Sequence, residues 1–157
     1  MVRKDERGEG KFDAQTKALE LATYTVNITD NPKVFTSDHE DTTKKIVAYA
    51  TDIYHRTRVA NNIPFKTPEA GAERNRLQNI AIAECESLRS EIQIAKMVFH
   101  LRMKRVKYWD DLIVEVHDLL QKWRDSDADR SRRMRSLRRL HRAVGCYLTA
   151  ERATAFS

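Results

Sequence analysis

The chain has 157 residues, of which 41% are hydrophobic and 33% charged, and its formal net charge is +6. This length suits a single domain with a workable core. No stretch approaches the roughly 18 continuous apolar residues of a membrane-spanning helix, and the first residues carry no secretory signal, so we expect a cytoplasmic protein without membrane contact. Cys85 and Cys146 are too few for a disulfide framework or a structural zinc site.

The first predicted helix begins at Phe12, after a polar segment of residues 1–11 that we expect to be flexible. Its core face has apolar and small side chains at alternating spacings of four and three, the period of one helix face. The members of this face are Ala14, Ala18, Leu21, Thr25 and Ile28. Pro32 ends the helix, because proline cannot donate the next backbone hydrogen bond.

Two further helices have recognisable start signals. Ser37 and Glu40 have the spacing of a capping box, and a second helix follows them until Pro64 ends it. Thr67 and Pro68 then suit the cap and first position of a third helix. The predicted core face of the second helix consists of Ile46, Ala50, Ile53, Thr57 and Ala60.

The third and fourth helices carry the clearest apolar stripes, and the third is predicted to be about 30 residues long, or roughly 45 Å. The third stripe is Ala81, Cys85, Leu88, Ile92, Ala95 and Phe99, widened by Ile94, Val98 and Leu101. The fourth is Val106, Trp109, Ile113, Val116, Leu120 and Trp123, flanked by Leu112 and Leu119. No Gly or Pro marks the boundary between them. The width of these stripes suggests burial against further copies of the chain.

Four such stripes with short connections predict an all-α fold, an antiparallel up-down-up-down four-helix bundle over residues 12–127. The segment from Trp123 to Asp127 is predicted to end the bundle, and residues 128–157 form a basic C-terminal extension. That extension has the pattern of a fifth short helix, ordered only with a partner, through Met134, Leu137, Leu140 and Val144.

The positive charge lies mainly in the extension. Residues 1–129 hold 21 Lys and Arg against 22 Asp and Glu, whereas residues 130–157 hold eight Arg and the single acid Glu151. Because the guanidinium group matches phosphate oxygens, so dense a block favours nucleic acid over a solvated tail or an anionic membrane. The candidate binding residues are Arg130, Arg132, Arg133, Arg135, Arg138, Arg139 and Arg142.

A second basic cluster lies around the turn between the third and fourth helices, where no acid occurs from Ile92 to Trp109. Its candidate phosphate-binding residues are Arg102, Lys104, Arg105 and Lys107. Tyr108 offers a stacking surface for an unpaired base, although core packing is the favoured interpretation for an aromatic residue here. Arg56 and Arg58 are expected at the opposite end of the bundle.

The sequence contains no recognisable catalytic centre, cofactor site or metal site. Glu-x-x-His pairs of di-iron bundles, glycine-rich phosphate loops and nucleophile elbows are all absent. Cys85 lies on an apolar stripe between acids that would raise its pKa, which indicates a core residue and not a nucleophile. Glu84 and Glu91 are expected to form ion pairs with neighbouring helices or subunits. We therefore expect a protein that is not an enzyme.

Several blocks of the sequence resemble the bacterial four-helix-bundle proteins that include the accessory variability determinant of diversity-generating retroelements. The resemblance covers roughly residues 12–129, and it depends on the order and spacing of blocks that are individually loose. These blocks are Ala18 to Ala22 with Asn31 and Phe35, Asp52-Ile53 with Arg58 to Asn61, Ala83 to Leu88 with Glu91-Ile92, and Tyr108-Trp109 before Trp123 to Asp127.

This resemblance implies a non-catalytic pentamer with basic surfaces. Such a protein binds a reverse transcriptase and its template-repeat RNA or RNA/cDNA, and so supports mutagenic cDNA synthesis. The helix faces that could meet the polymerase or the RNA carry Lys44, Lys45, Arg56, Arg58, Arg102, Lys104, Arg105 and Lys107. The arginine block after Asp129 departs from the common pattern of the family. The alternative function is an oligomeric helical scaffold for protein partners, with no direct nucleic-acid role.

Overall fold

The computed structural model describes the backbone of residues 6–154 and the side chains of residues 13–142. Within this range the chain is all-helical and has no strand, as predicted. The four α-helices are α1 (Glu6–Thr29), α2 (Glu40–Asn62), α3 (Pro68–Val98) and α4 (Met103–Thr154), and a short 3₁₀ helix covers Ser37–His39. Helix α1 packs against α2 and α4, and α3 packs against the same two helices, an arrangement consistent with a four-helix bundle.

The predicted stripes supply most of the core. On α2 the whole predicted face is buried, from Ile46 to Ala60, and on α1 only Ile28 of the predicted face is partly exposed. The six predicted positions of the α4 stripe, from Val106 to Trp123, are all buried. Ile94, which widens the predicted stripe of α3, is 48% exposed in the single chain, so its burial against further copies stays a prediction.

A hydrogen bond inside the core joins α1 to α4. The indole Nε1–H of Trp109 donates to Thr25 Oγ1 at 2.9 Å, and neither side chain is accessible to solvent. A buried indole needs such an acceptor, because an unpaired N–H in an apolar environment is destabilising. This bond explains why a threonine occupies a core position of α1.

The turn between α3 and α4 forms without glycine or proline. His100 adopts a left-handed backbone with φ of 52°, a conformation in which histidine is less unfavourable than most side chains. The N–H of Leu101 then donates to the carbonyl of Lys96 at 3.1 Å, the bond that closes a Schellman-type helix end. His100 therefore takes the position that glycine commonly occupies at a helix C-terminus.

Two predicted helix starts differ from the structure. Helix α1 begins at Glu6, so residues 6–11 of the segment predicted to be flexible are helical, and residues 1–5 lie outside the described residues. The capping box predicted at Ser37 is absent, because residues 37–39 form the 3₁₀ helix and α2 begins at Glu40 without a side-chain cap. The Thr67 cap is confirmed: Thr67 Oγ1 accepts from the N–H of Ala70 at 3.2 Å, with Pro68 in the first turn.

The fifth short helix predicted in the C-terminal extension is not a separate element. Helix α4 continues without a break to Thr154, a length of 52 residues or about 78 Å, whereas α3 is about 46 Å long. The predicted fifth helix is therefore the continuation of α4. The side chains of Val144 and Cys146 lie outside the described residues. In the described part of the chain, no helix is long and apolar enough to cross a membrane.

We expect the substitution Thr25→Val to lower the free energy of unfolding by about 1–3 kcal/mol, because it leaves the buried Trp109 N–H without an acceptor. Thr57→Val is the matched control. Thr57 is equally buried, but its hydroxyl bonds only the Ile53 carbonyl of its own helix, so its loss leaves no donor unpaired. Urea unfolding measures both variants, and equal losses of stability would contradict this role for the Trp109–Thr25 bond.

Candidate nucleic-acid interface

A buried ion pair joins α3 to α4 at the point where the arginine-rich segment begins. Arg74 Nε donates to Asp127 Oδ2 at 2.6 Å, and Arg74 Nη2 reaches Oδ1 at 3.3 Å. Gln78 Nε2 also donates to Asp127 Oδ2, at 2.8 Å. The Arg74 and Asp127 side chains are only 5% and 9% exposed, so the pair is held in a geometry shielded from water.

Aromatic rings surround this ion pair. The guanidinium carbon of Arg74 lies 4.8 Å from the ring centre of Trp123 and 5.6 Å from that of Phe65. Arg130 stacks on the same Phe65 ring at 4.7 Å. Phe65 belongs to the connection between α2 and α3, so these contacts attach that connection to both arginines. Arg130, predicted as a binding residue, thus also packs against the protein itself.

Helix α4 stays close to α3 beyond Asp127. A Cβ atom added at Gly71 would lie 3.4 Å from the Phe65 ring and 3.6 Å from the hydroxyl oxygen of Ser131. Both distances are ordinary van der Waals contacts, so the first turn of the arginine-rich segment lies next to the start of α3 and would leave room for an alanine at position 71.

All seven predicted arginines of residues 130–142 are exposed. Arg132 pairs with Asp129, and this pairing lowers the pKa of the Asp129 carboxyl. Arg130 stacks on Phe65, which leaves five further exposed arginines. Among the described side chains, no carboxylate lies within ion-pair distance of these five. These five are Arg133, Arg135, Arg138, Arg139 and Arg142.

A groove of about 330 Å³ separates the start of α3 from the arginine-rich part of α4. Three of the predicted arginines line it, Arg132, Arg135 and Arg138, together with Asn75, Ser131 and Asp127, whose carboxylate is paired with Arg74. The partial positive charge at the N-terminus of α3 adds to theirs. The groove therefore combines charge and hydrogen-bond donors that suit a phosphate group.

The two arginines predicted on α2 have partners within the protein. Arg56 Nε donates to Glu84 Oε1 at 2.6 Å, and burial raises the pKa of the Glu84 carboxyl although Arg56 opposes that rise. Arg58 donates to the hydroxyl of Tyr54 at 3.1 Å and is exposed.

The predicted ion pairs of Glu84 and Glu91 are confirmed. Glu84 pairs with Arg56, and Lys45 Nζ lies 3.9 Å from Glu91 Oε1.

The second basic cluster lies at the start of α4. Arg102, Lys104 and Lys107 are exposed and Arg105 is half-buried. The structure brings Tyr24 of α1 beside Arg102, Lys104, Arg105 and Tyr108, a neighbour that the sequence analysis did not identify. The only indication in the sequence was the helical periodicity of α1, which places Tyr24 beside the buried Thr25 and therefore near the edge of the core. The structure does not bring this cluster together with the arginines of residues 130–142, because more than 20 residues of α4 lie between them.

Cys85 is a core residue, as predicted. Its side chain is fully buried, and burial, with smaller contributions from Glu86 and Glu84, raises the pKa of the thiol to about 12. The thiol is therefore protonated at neutral pH and is a poor nucleophile. Within the described part of the chain, no three His, Cys, Asp or Glu side chains are grouped so as to hold a metal ion.

Comparison with known proteins gives no match: no protein-family model, curated protein or solved structure matches this chain. The resemblance to the retroelement accessory family stays a prediction from the sequence blocks named above.

We expect Asp127→Ala to lower the free energy of unfolding by about 3–5 kcal/mol, because Arg74 would remain buried without its partner. Asp110→Ala is the matched control, since the Arg89–Asp110 pair joins the same two helices at 2.7 Å but is about one third exposed. Its loss should change stability by about 0–1 kcal/mol. Chemical denaturation distinguishes the two, and a similar small effect for both would show that the buried pair does not stabilise the α3–α4 contact.

Proposed function

We propose that this chain is a non-catalytic, nucleic-acid-binding accessory protein, an antiparallel up-down-up-down helical bundle whose basic extension binds phosphate groups. The order of the contacts supports the antiparallel arrangement. Arg89, in the C-terminal half of α3, pairs with Asp110 near the start of α4, whereas Arg74, near the start of α3, pairs with Asp127 further along α4. Between α2 and α3, Arg56 pairs with Glu84 in the same opposed sense as Lys45 with Glu91.

The observation that carries this proposal is the set of five exposed arginines on α4 without a carboxylate partner among the described side chains. Among these five, Arg135, Arg139 and Arg142 recur at spacings of four and three and so share one face of the helix. Like charges held this close repel one another, and a polyanion relieves that repulsion by replacing its own counterions with arginines.

The recognition should depend little on sequence. Guanidinium groups on a helix face contact phosphate oxygens before they reach the edges of bases. The groove beside Asn75 and Ser131 would position a phosphate through neutral donors in addition to the charges. RNA is the preferred polynucleotide in this proposal, because the sequence resembles a family that handles template RNA.

The cellular role proposed from that resemblance is specific. The chain would assemble as a homopentamer, bind a reverse transcriptase together with its template-repeat RNA or RNA/cDNA, and support mutagenic cDNA synthesis in the cytoplasm of a bacterial cell. The support for this role is the order and spacing of the sequence blocks from residue 12 to residue 129.

The alternative, an oligomeric scaffold for protein partners, has one supporting observation. Ile94 and Met97, adjacent on one face of α3, are 48% and 71% exposed, and apolar side chains of this size are often covered by another chain. A scaffold would keep its assembly state but would show no affinity for RNA.

We expect salt-dependent RNA binding that weakens when Arg135, Arg138 and Arg139 are replaced together by Gln. For single-stranded RNA, each lost phosphate contact reduces the steepness of log affinity against log salt by about 0.7. The slope of the triple variant should therefore be shallower by up to about 2. Glutamine preserves helix propensity, so circular dichroism should be unchanged.

The control for this experiment removes the same amount of charge elsewhere. Lys17, Arg76 and Arg89 are each paired with a carboxylate, so their replacement by Gln should leave the salt slope nearly unchanged. Equal effects of the two triple variants would mean that net charge alone drives binding. Absence of RNA affinity in the unmodified chain would overturn the proposed function and favour the scaffold.

A further inference from the structure

A second groove lies at the start of α4, far from the arginine-rich segment. It has a volume of about 340 Å³ and is lined by Tyr24, Arg102, Lys104, Arg105 and Tyr108. Along α4, Tyr108 precedes Arg130 by 22 residues, or about 33 Å at the helical rise. The two basic regions of the helix are therefore separate sites.

Two tyrosines form the aromatic part of this groove. Their rings meet edge to face, with the ring centres of Tyr24 and Tyr108 5.0 Å apart. Tyr24 also packs edge to face on the buried Trp109 at 5.9 Å, and Trp109 packs in the same way on Phe35 at 6.4 Å. The pair is thus supported from below by the aromatic core, which restricts its movement.

Tyr108 nevertheless remains 50% exposed. Most of its neighbours on the outer side are cations: Arg102 and Lys104 are exposed, and Arg105 lies near enough to Tyr24 to oppose the rise that burial causes in the pKa of that phenol. Among the described side chains, no carboxylate forms an ion pair with any of these three cations. An exposed aromatic ring surrounded by uncompensated cations is a surface that attracts a polyanion with flat rings.

We propose that this groove binds an unpaired base of a single-stranded nucleic acid, stacked on Tyr108, with the adjoining phosphates on Arg102, Lys104 and Arg105. This inference rests on the proposed function, since it assumes that the ligand is a polynucleotide, and it adds that one part of the ligand is single-stranded. In a duplex the faces of the bases are already stacked on one another, so a protein ring cannot cover them.

The chemistry of the site determines its selectivity. Every base has a flat face, so stacking on Tyr108 tolerates any sequence. The arginines of residues 130–142 read only phosphate charge, which duplex and single strand both provide. Discrimination between the two forms of RNA therefore depends on the tyrosine groove, and overall affinity depends mainly on the arginine-rich segment.

The experiment compares two substitutions of Tyr108 on an unstructured RNA and on the duplex that it forms with its complement. Tyr108→Leu removes the ring but keeps an apolar side chain, and Tyr108→Phe keeps the ring. We expect Tyr108→Leu to weaken single-strand binding by about 5- to 150-fold, the equivalent of one lost base stack, and to leave duplex binding unchanged. Tyr108→Phe should retain the affinity of the unmodified chain for both RNAs.

Tyr49→Leu is the matched control, because Tyr49 is a half-buried tyrosine on α2 that does not line the groove. It should leave binding to both RNAs unchanged. The stacking site would be overturned if Tyr108→Leu and Tyr108→Phe weakened RNA binding equally, or if Tyr108→Leu weakened single-strand and duplex binding equally. The proposed function would still stand in either case if the unmodified chain bound RNA in a salt-dependent way. Failure of the unmodified chain to bind either RNA would instead overturn the proposed function and this inference together.

Discussion

The buried ion pair between Arg74 and Asp127 fixes how α3 packs against α4. The position of the arginine-rich segment depends on this pair. Neither charge can be left alone in this environment without a large loss of stability, so each side chain fixes the position of the other. Gln78 and the Trp123 ring complete the surroundings of the pair. Because Asp127 lies immediately before the arginines, this constraint orients the turn of α4 from which they project.

A consequence of this arrangement is that the arginines belong to a helix that is already anchored. The stacking of Arg130 on Phe65 holds the first turn of the segment against the bundle, and Ser131 lies near Gly71 at the start of α3. A ligand that meets side chains on a preformed helix does not have to order the backbone on binding, so less of the interaction energy is lost to conformational entropy. At the other end of α4, the Tyr24–Tyr108 pair is likewise supported by Trp109.

The helix faces could be read from the sequence, whereas several helix ends could not. Spacings of three and four identified the buried side of α2 completely, because periodicity is a local property of the chain. The end of α3 was poorly marked, since His100 supplies a left-handed turn that usually requires glycine. The segment from Trp123 to Asp127 resembled the end of the bundle, because the partner that buries Asp127 is Arg74, 53 residues earlier in the chain. The place of Tyr24 in the basic groove could not be predicted either, because the other residues of the groove lie about 80 residues later in the chain.

Amide hydrogen exchange of the protein with and without single-stranded RNA shows whether the arginines are presented on an anchored helix. We expect the amides of residues 128–142 to exchange slowly before RNA is added, because they are hydrogen-bonded within α4, and more slowly afterwards. Exchange at the rate of an unfolded chain until RNA is added would contradict this expectation. The arginines would then lie on a segment that becomes helical only with its partner.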